Sequence, residues 1–424
     1  MKKRYLLAGV VALLLVVALI AVACGEDEAT TTTAGGSTET TAASMGEPIK
    51  IGVINDLTGR EGTTGQNMDK SLRLAFKVIG NKIGNRPVEI ISEDAADQAN
   101  VAVDKARKLI EQDKVVAIFG PNEIGEKFAV AGYIASLGEA GIPLIFFSPT
   151  PPPAFEGNDW LIGACGTTLT QPTVMADYIY NDLGYRTINT LGQEGTAGES
   201  FINPLVGVFQ QLGGTVVGQV WPPADTSDFG PFLTTLKPAD ALVVWMPGAA
   251  VGMHIQYVKM GVIDKMPMVG AFHGATFDPW VYAAIHQNNP DVAEAMAGVP
   301  CPMEYAPDST SEANLAFIEA AKAEWGDVAF AGDNVNSYNA AMLFIKAVEA
   351  TGGVTTPKEL VQSILATAWE GPQGPAFFAE GNRAAHITVH IVAEEKTPEG
   401  TPYPYQYKTL KTYEGVPPTG YAAP

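Results

Sequence analysis

Four stretches of this sequence carry residues whose type and spacing are those of chemistry. Ser200 stands in Gly198-Glu199-Ser200-Phe201-Ile202, which opens like a nucleophile elbow, but no glycine closes the GxSxG turn and no histidine can be assigned to the serine. His386 and His390 lie in the alternating run Ala385-His386-Ile387-Thr388-Val389-His390-Ile391. They share one face of a strand, yet four residues set them about 13 Å apart, too far to hold one ion. The glycines of Thr58-Gly59-Arg60-Glu61-Gly62-Thr63-Thr64-Gly65-Gln66 fall three apart, which is neither GxGxxG nor a phosphate loop ending in Gly-Lys-Ser/Thr. That segment offers instead free backbone N–H groups at a helix start, able to hold the anionic or carbonyl end of a small ligand. Glu93-Asp94 pairs two carboxyls at a strand end, where capping or hinge contacts are a more ordinary role than general acid–base work. The sequence predicts no enzyme, no metal centre and no cofactor.

The elements that must position these residues alternate by period. Residues 49–54 read as a strand, and Met68, Leu72, Ala75 and Ile79 follow at spacings of four, three and four, one face of a helix. The unit recurs: strand 88–92 with helix Val103, Ala106, Ile110; strand 115–119 with a helix to about 139; strand 144–147. A second series runs helix 171–183, strand 187–191, helix from 199, strand 215–220, helix 228–236, strand 241–245, helix to about 260 and strand 268–272. Strands separated by helices imply right-handed crossovers and parallel sheets covered on both faces. Two such sheets are expected, with 160–168 and 299–305 as extended crossings between them. Val335, Tyr338, Met342 and Ile345 mark a long helix and 358–368 a shorter one, while Pro372, Pro375, Pro398, Pro402 and Pro404 make the tail hairpins and irregular structure.

Composition narrows the setting. Among 424 residues, 46 acids against 26 bases give a net charge of −20, with 17% charged and 46% hydrophobic residues. That excludes a disordered chain and a nucleic-acid partner, whose phosphates require clustered Lys and Arg. Three cysteines and five histidines are too few for a disulfide scaffold or a zinc cluster. Lys2, Lys3 and Arg4 precede an apolar run over 6–23 that ends in Ala21-Val22-Ala23-Cys24-Gly25, an export signal. The ending resembles a bacterial lipobox in which Cys24 becomes the acylated N-terminus, although Ala21 stands where a larger aliphatic residue is usual. Residues 1–24 are therefore read as a lipoprotein leader, and the chain as extracytoplasmic and anchored to a membrane through lipid on Cys24. The Thr-rich stretch 25–47 has almost nothing to bury and reads as a flexible tether. Removing Lys2, Lys3 and Arg4 takes the 26 bases to 23 against the same 46 acids, a net charge of −23.

Several motifs, in order, carry a resemblance. They are Ile51-Gly52-Val53-Ile54-Asn55-Asp56-Leu57-Thr58-Gly59 with Gly65; Glu93-Asp94-Ala95-Ala96-Asp97; Phe119-Gly120-Pro121; Gly141-Ile142-Pro143-Leu144-Ile145; Ser148-Pro149; Thr226-Ser227-Asp228-Phe229; Ala239-Asp240-Ala241-Leu242-Val243-Val244; and Ser337-Tyr338-Asn339-Ala340-Ala341. Over 49–393 the sequence resembles the leucine/isoleucine/valine-binding family of ABC-transporter solute receptors. The resemblance implies the type I periplasmic-binding fold: α/β, two doubly wound lobes with mostly parallel sheets joined by a three-strand hinge. It divides the body into a first lobe, 48–164 plus 302–372, and a second, 165–301 plus 373–424. It further implies a monomer that captures a small organic ligand by hinge closure and delivers it to ABC permease subunits. A ligand-sensing receptor coupled to a signalling partner is the alternative use of the same fold.

Carried onto this chain, the resemblance places ligand-facing loops at Thr58, at Asn122, Glu123, Ile124 and Gly125, and at Ser148 and Thr150. In the second lobe it places them at Thr196 and Ala197, at Trp245 and Met246, and at Phe272 and His273. Ile124 stands where amino-acid-binding members supply a serine, Ala197 where a tyrosine is common, and His273 where an acid would meet the ligand ammonium. The clamp for a zwitterion is thus dismantled while Ile124, Trp245, Met246 and Phe272 make the cleft more aromatic. A buried charge without partners costs several kcal/mol, so the expected ligand is an amino-acid-like molecule or an aromatic or aliphatic carboxylate with one polar end, held by Thr150, Thr196, His273 and backbone N–H groups. Glu123 and Glu194 keep amines in play. Cys165 and Cys301 fall in the first and second lobe crossings, which run side by side in this fold, and a disulfide between them is an expectation of that pairing.

Overall fold

The computed structural model describes residues 46–273, 279–326, 332–398 and 405–421. The leader, Cys24 and all but the last two residues of the tether lie outside the described residues.

The first series of periods gives β1 (Ile49–Asn55), α1 (Gly62–Val78), β2 (Lys82–Ile83), β3 (Arg86–Asp94), α2 (Ala99–Lys108), β4 (Ala117–Phe119), α3 (Ile124–Ser136), β5 (Leu144–Phe146) and β6 (Leu161–Gly163). They form a six-stranded sheet of order β2-β3-β1-β4-β5-β6, parallel except for the β2–β3 hairpin. The short run 161–163, expected only as the start of a crossing, closes the sheet as its edge strand.

The second series gives α4 (Thr170–Asp177), β7 (Thr187–Gly192), α5 (Thr196–Gln211), β8 (Thr215–Val220), α6 (Gly230–Leu233), β9 (Ala241–Trp245), α7 (Ala250–Lys259) and β10 (Met268–Gly270). Its sheet is parallel throughout, in the order β10-β9-β7-β8. The helix expected over 171–183 is present over its length but turns from α to π geometry at Tyr178, and the one over 228–236 is shorter, a single turn with Pro231 inside it.

Beyond β10 come α8 (Pro279–Asn288), α9 (Pro290–Met296), β11 (Pro300–Met303), α10 (Glu312–Trp325), α11 (Gly332–Ala350), α12 (Pro357–Ala366), β12 (Trp369–Gly371), β13 (Gly374–Ala376), β14 (Ile387–Lys396) and β15 (Tyr405–Val416). The long helix α11 returns to the first sheet, where Phe344 meets Phe76 and Phe119 edge-on with centroids 6.3 and 5.6 Å away. Its Ser337 hydroxyl donates to the Met68 carbonyl at 2.9 Å. The tail is more regular than its prolines imply, because β14 and β15 are long strands in an antiparallel sheet of order β11-β14-β15.

The crossings pair differently from expectation, and that decides the cysteines. The segment at Gly163 runs beside Ala384, with Gly163 N–H donating to Arg383 O and Ala385 N–H to Gly163 O, both at 2.8 Å. Cys301 instead sits in β11 opposite Val392. The expected Cys165–Cys301 bridge is not formed. Both are buried thiols, and the Cys165 Sγ donates to the Asn336 carbonyl at 3.7 Å.

One close approach fixes where the first helix starts. A Cβ on Gly65 would lie 1.9 Å from the Asp56 carbonyl oxygen, so α1 packs against the end of β1 only with glycine there. The Asn55 side-chain amide then donates to the Gly65 carbonyl at 3.0 Å. Gly65→Ala is expected to destabilise the protein by about 1–3 kcal/mol, read as a lower urea midpoint with an unchanged slope.

Candidate ligand-binding site

The loops after β1, β4 and β5 face those after β7, β9 and β10 across a cleft, where ligands bind in open α/β sheets. The cavity is about 130 Å³. The first lobe contributes Arg60, Glu61, Thr64, Asn122, Glu123, Ile124, Lys127, Ser148 and Pro149, and the second Gln193, Ala197, Phe201, Trp245, Pro247 and Phe272.

The first-lobe wall is built from carboxylates that hold backbone. Asp94 accepts from the Leu57 N–H at 2.9 Å and the Thr58 hydroxyl at 2.6 Å, and Asp97 accepts from the Arg60 N–H at 2.5 Å. Burial pushes the Asp94 carboxyl up, but the Thr58 hydroxyl and the N–H groups of Leu57, Ala96 and Thr58 outweigh it and hold the group below its usual range. Glu61 is raised by burial and by Asp97, Asp56 and Glu123, with Arg60, 3.4 Å away, opposing. Glu123 caps α3 by accepting from Gly125 N–H at 2.6 Å, so the anion-attracting end of that helix is already occupied.

Behind these loops lie three buried charged side chains. The Lys127 ammonium, on a residue only 1% exposed, donates to Ser148 Oγ and Pro149 O at 2.8 Å and to Ser148 O at 3.3 Å. Beside it Glu126 is equally buried, and burial together with the adjacent Asp56 carboxylate raises its pKa to about 8. Asp56 is itself raised by burial, and its second oxygen and both Glu126 oxygens lack a donor among the described residues. A proton held on Glu126 and shared with Asp56 supplies that donor.

The second-lobe wall is aromatic. The Phe201 ring lies 4.9 Å from Trp245 and 4.2 Å from Phe272, tilted by 37° and 33°, and all three are buried. Trp245 ends β9 opposite Gly192, which places the indole at the cleft floor. Its N–H has no hydrogen-bond partner among the described residues.

Of the residues expected to face a ligand, Asn122, Glu123, Ile124, Ser148, Ala197, Trp245 and Phe272 come together here. The others do not line the cleft. The Thr58 hydroxyl is turned to Asp94, and the Gly125 N–H serves the cap. Thr150 is fully buried, bridged to Thr167 and donating to Ser148 O at 3.1 Å. Thr196 is exposed at the start of α5, and Met246 is packed in the core. His273 is fully buried beneath Phe272, with Nδ1 3.3 Å from Gln171 Oε1 and 3.7 Å from Glu304 Oε2. Burial lowers its pKa to about 3, so at neutral pH it is uncharged and offers a ligand no cation.

A family model described as "Periplasmic binding protein" matches residues 48–392. The chain belongs to the periplasmic binding protein family. It has the type I periplasmic-binding fold and is a binding protein, not an enzyme. A curated relative, "Leu/Ile/Val-binding protein homolog 6" of Brucella suis, is 24% identical over 88% of this chain and 93% of its own. Among solved structures, an ABC transporter substrate-binding protein from Sphaerobacter thermophilus superimposes with a TM-score of 0.78 at 27% identity, covering 87% of this chain and 98% of that one. An R. palustris solute-binding protein in complex with 4-hydroxybenzoate gives 0.76 at 24% identity, covering 88% and 98%. In this periplasmic binding protein no helix among the described residues is long and apolar enough to cross a membrane, and none of their acids, histidines and cysteines cluster to hold a metal.

Two cleft residues missed from sequence, Lys127 and Phe201, are on helices, whereas Arg60, Glu61, Pro149, Gln193 and Pro247 lie beside the expected residues in the same loops. Lys127 lies three and four residues before Val130 and Ala131 on the buried face of α3, and a lone cation on an apolar face was the available signal. Phe201 follows Ala197 by four on α5, which puts both on one side.

Because Glu126 binds its proton more tightly folded than unfolded, its contribution favours folding at low pH and is lost as pH rises from about 4.5 through about 8. Glu126→Gln should abolish most of the fall in stability between pH 6.5 and 9, measured by urea denaturation at each pH.

Proposed function

We propose that this periplasmic binding protein captures a small aromatic carboxylate and delivers it to an ABC permease. The observation that carries this reading is the asymmetry of the cleft. Its first-lobe wall holds Arg60, Lys127, Asn122 and the Ser148 hydroxyl, and its second-lobe wall is the Phe201, Trp245 and Phe272 tier. Ser148 Oγ accepts from Lys127, which leaves its own proton for a ligand carboxylate beside the Lys127 ammonium. A flat ring then lies against the aromatic tier, with offset or edge contacts worth about 0.5–1.5 kcal/mol each beyond burial.

The rival ligand is a cationic amine, since Glu61 and Glu123 also line the cleft. Glu61 lies 3.4 Å from the Arg60 guanidinium and one Glu123 oxygen is taken by the α3 cap, so an ammonium gains less on this wall than a carboxylate gains beside Lys127 and Ser148. The 4-hydroxybenzoate in the R. palustris relative is of the chemical class this cleft suits.

A ligand bridging both walls favours the closed arrangement of lobes, with 48–164 plus 302–372 moving as one and 165–301 plus 373–424 as the other. The closed form is what the permease recognises. Lipid on Cys24 and the tether to residue 47 hold the monomeric receptor beside the membrane.

Thermal unfolding with ligands at about 100 times their dissociation constant should show benzoate and 4-hydroxybenzoate stabilising the protein by about 2.7 kcal/mol. Leucine and putrescine should give no shift. Lys127→Met should retain the fold by circular dichroism and lose the benzoate shift. A shift with leucine or putrescine and none with benzoates would overturn the reading.

A further inference from the structure

The second lobe presents one fixed polar group to the cleft whose counterpart has to come from the ligand. Trp245 is 6% exposed, lines the cavity, and its indole N–H is without a partner among the described residues. The ring cannot swing away to find one, because Phe201 packs against it at 4.9 Å and β9 pairs at Trp245 with Gly192. A buried donor left unmade is destabilising, and an acceptor that satisfies it is correspondingly rewarded.

Charge then sets the ligand's direction. Arg60 and Lys127 belong to the first lobe, and no described residue that the second lobe contributes to the cleft is cationic. A carboxylate is drawn to the first-lobe wall, so the opposite end of the molecule points at the second. An indole N–H donates only. It accordingly selects an oxygen acceptor at that end and gives nothing to a methyl, an ammonium or a bare ring edge.

We infer that Trp245 is a specificity-determining residue: its N–H reads a hydrogen-bond acceptor, such as a phenolic oxygen, on the ring position opposite the ligand carboxylate. This rests on the aromatic-carboxylate reading above and narrows it to para-oxygenated benzoates.

Calorimetric titration of the full-length chain with 4-hydroxybenzoate and 4-methylbenzoate, near-isosteres that differ in the acceptor, tests it. The wild-type protein should prefer 4-hydroxybenzoate by about tenfold. In Trp245→Phe, which keeps an aromatic ring and lacks the donor, the preference should fall to within about twofold. A second readout does not depend on the variant folding. With the six tryptophans labelled at the indole nitrogen, one buried N–H resonance should move strongly downfield with 4-hydroxybenzoate and not with 4-methylbenzoate. Equal wild-type affinities for the two ligands, or a preference that survives in Trp245→Phe, would overturn the inference while leaving the aromatic-carboxylate reading standing. Failure of the wild-type protein to bind any benzoate would overturn both.

Discussion

An ammonium taken out of water has to be ringed by acceptors or give up its proton, and the ring that Lys127 finds shapes the whole first-lobe wall. Its acceptors are Ser148 and Pro149, the residues that leave β5, so the charge ties α3 to the neighbouring strand exit across the mouth of the sheet. The same burial raises Glu126 on the adjacent position of the helix, and the charge that acts on it most strongly, Asp56, directly follows β1. Three strand exits are therefore bound together by one cation and one shared proton. Were Glu126 ionised as well, two carboxylates would face each other in a dry setting, and the β1 loop carrying Arg60 and Glu61 would lose its seat.

The loops nearest the ligand are held by acids that are used up internally. Asp94, Asp97 and Glu123 each accept backbone N–H groups, which reconciles an acid-rich wall with an anionic ligand. These carboxylates are structural counterparts of N–H groups, and they share the cleft wall with Arg60, Glu61, Asn122, the Lys127 site and the Ser148 hydroxyl. The second lobe needs no such scaffold because its wall is hydrocarbon, fixed by ring against ring.

Much of this arrangement was legible in the sequence. Spacings of four and three at Met68, Leu72 and Ala75 placed α1, and the apolar runs at 241–245 and 187–191 placed the core of the second sheet. The loops that form the cleft were found because they follow strands. The orientation of individual side chains in them was not legible, since Thr58 turns to Asp94, a partner 36 residues away, and Thr150 is consumed by a bridge to Thr167. His273 was read as a polar contact because the resemblance places there an acid that meets the ligand, whereas the structure turns its ring inward to Gln171 and Glu304. The cysteine pairing depended on which two crossings touch. Gly163 beside Ala384 is a relation between residues more than two hundred apart that no local pattern encodes.

The remaining tension is between an acidic protein and the acidic ligand proposed for it. A chain at −20 repels a benzoate at long range, but at physiological ionic strength the repulsion is screened beyond about 8 Å. Within that distance the ligand meets only local charge. There Asp94, Asp97 and Glu123 are held by backbone N–H groups, Glu61 faces Arg60 and Glu126 binds a proton, and the buried Lys127 acts in a medium of low dielectric where its field is least attenuated. On the proposed reading, affinity for the carboxylate resides in one lobe and discrimination among rings in the other. A ligand satisfies both only when the lobes come together on it, which is the differential stabilisation that closure requires.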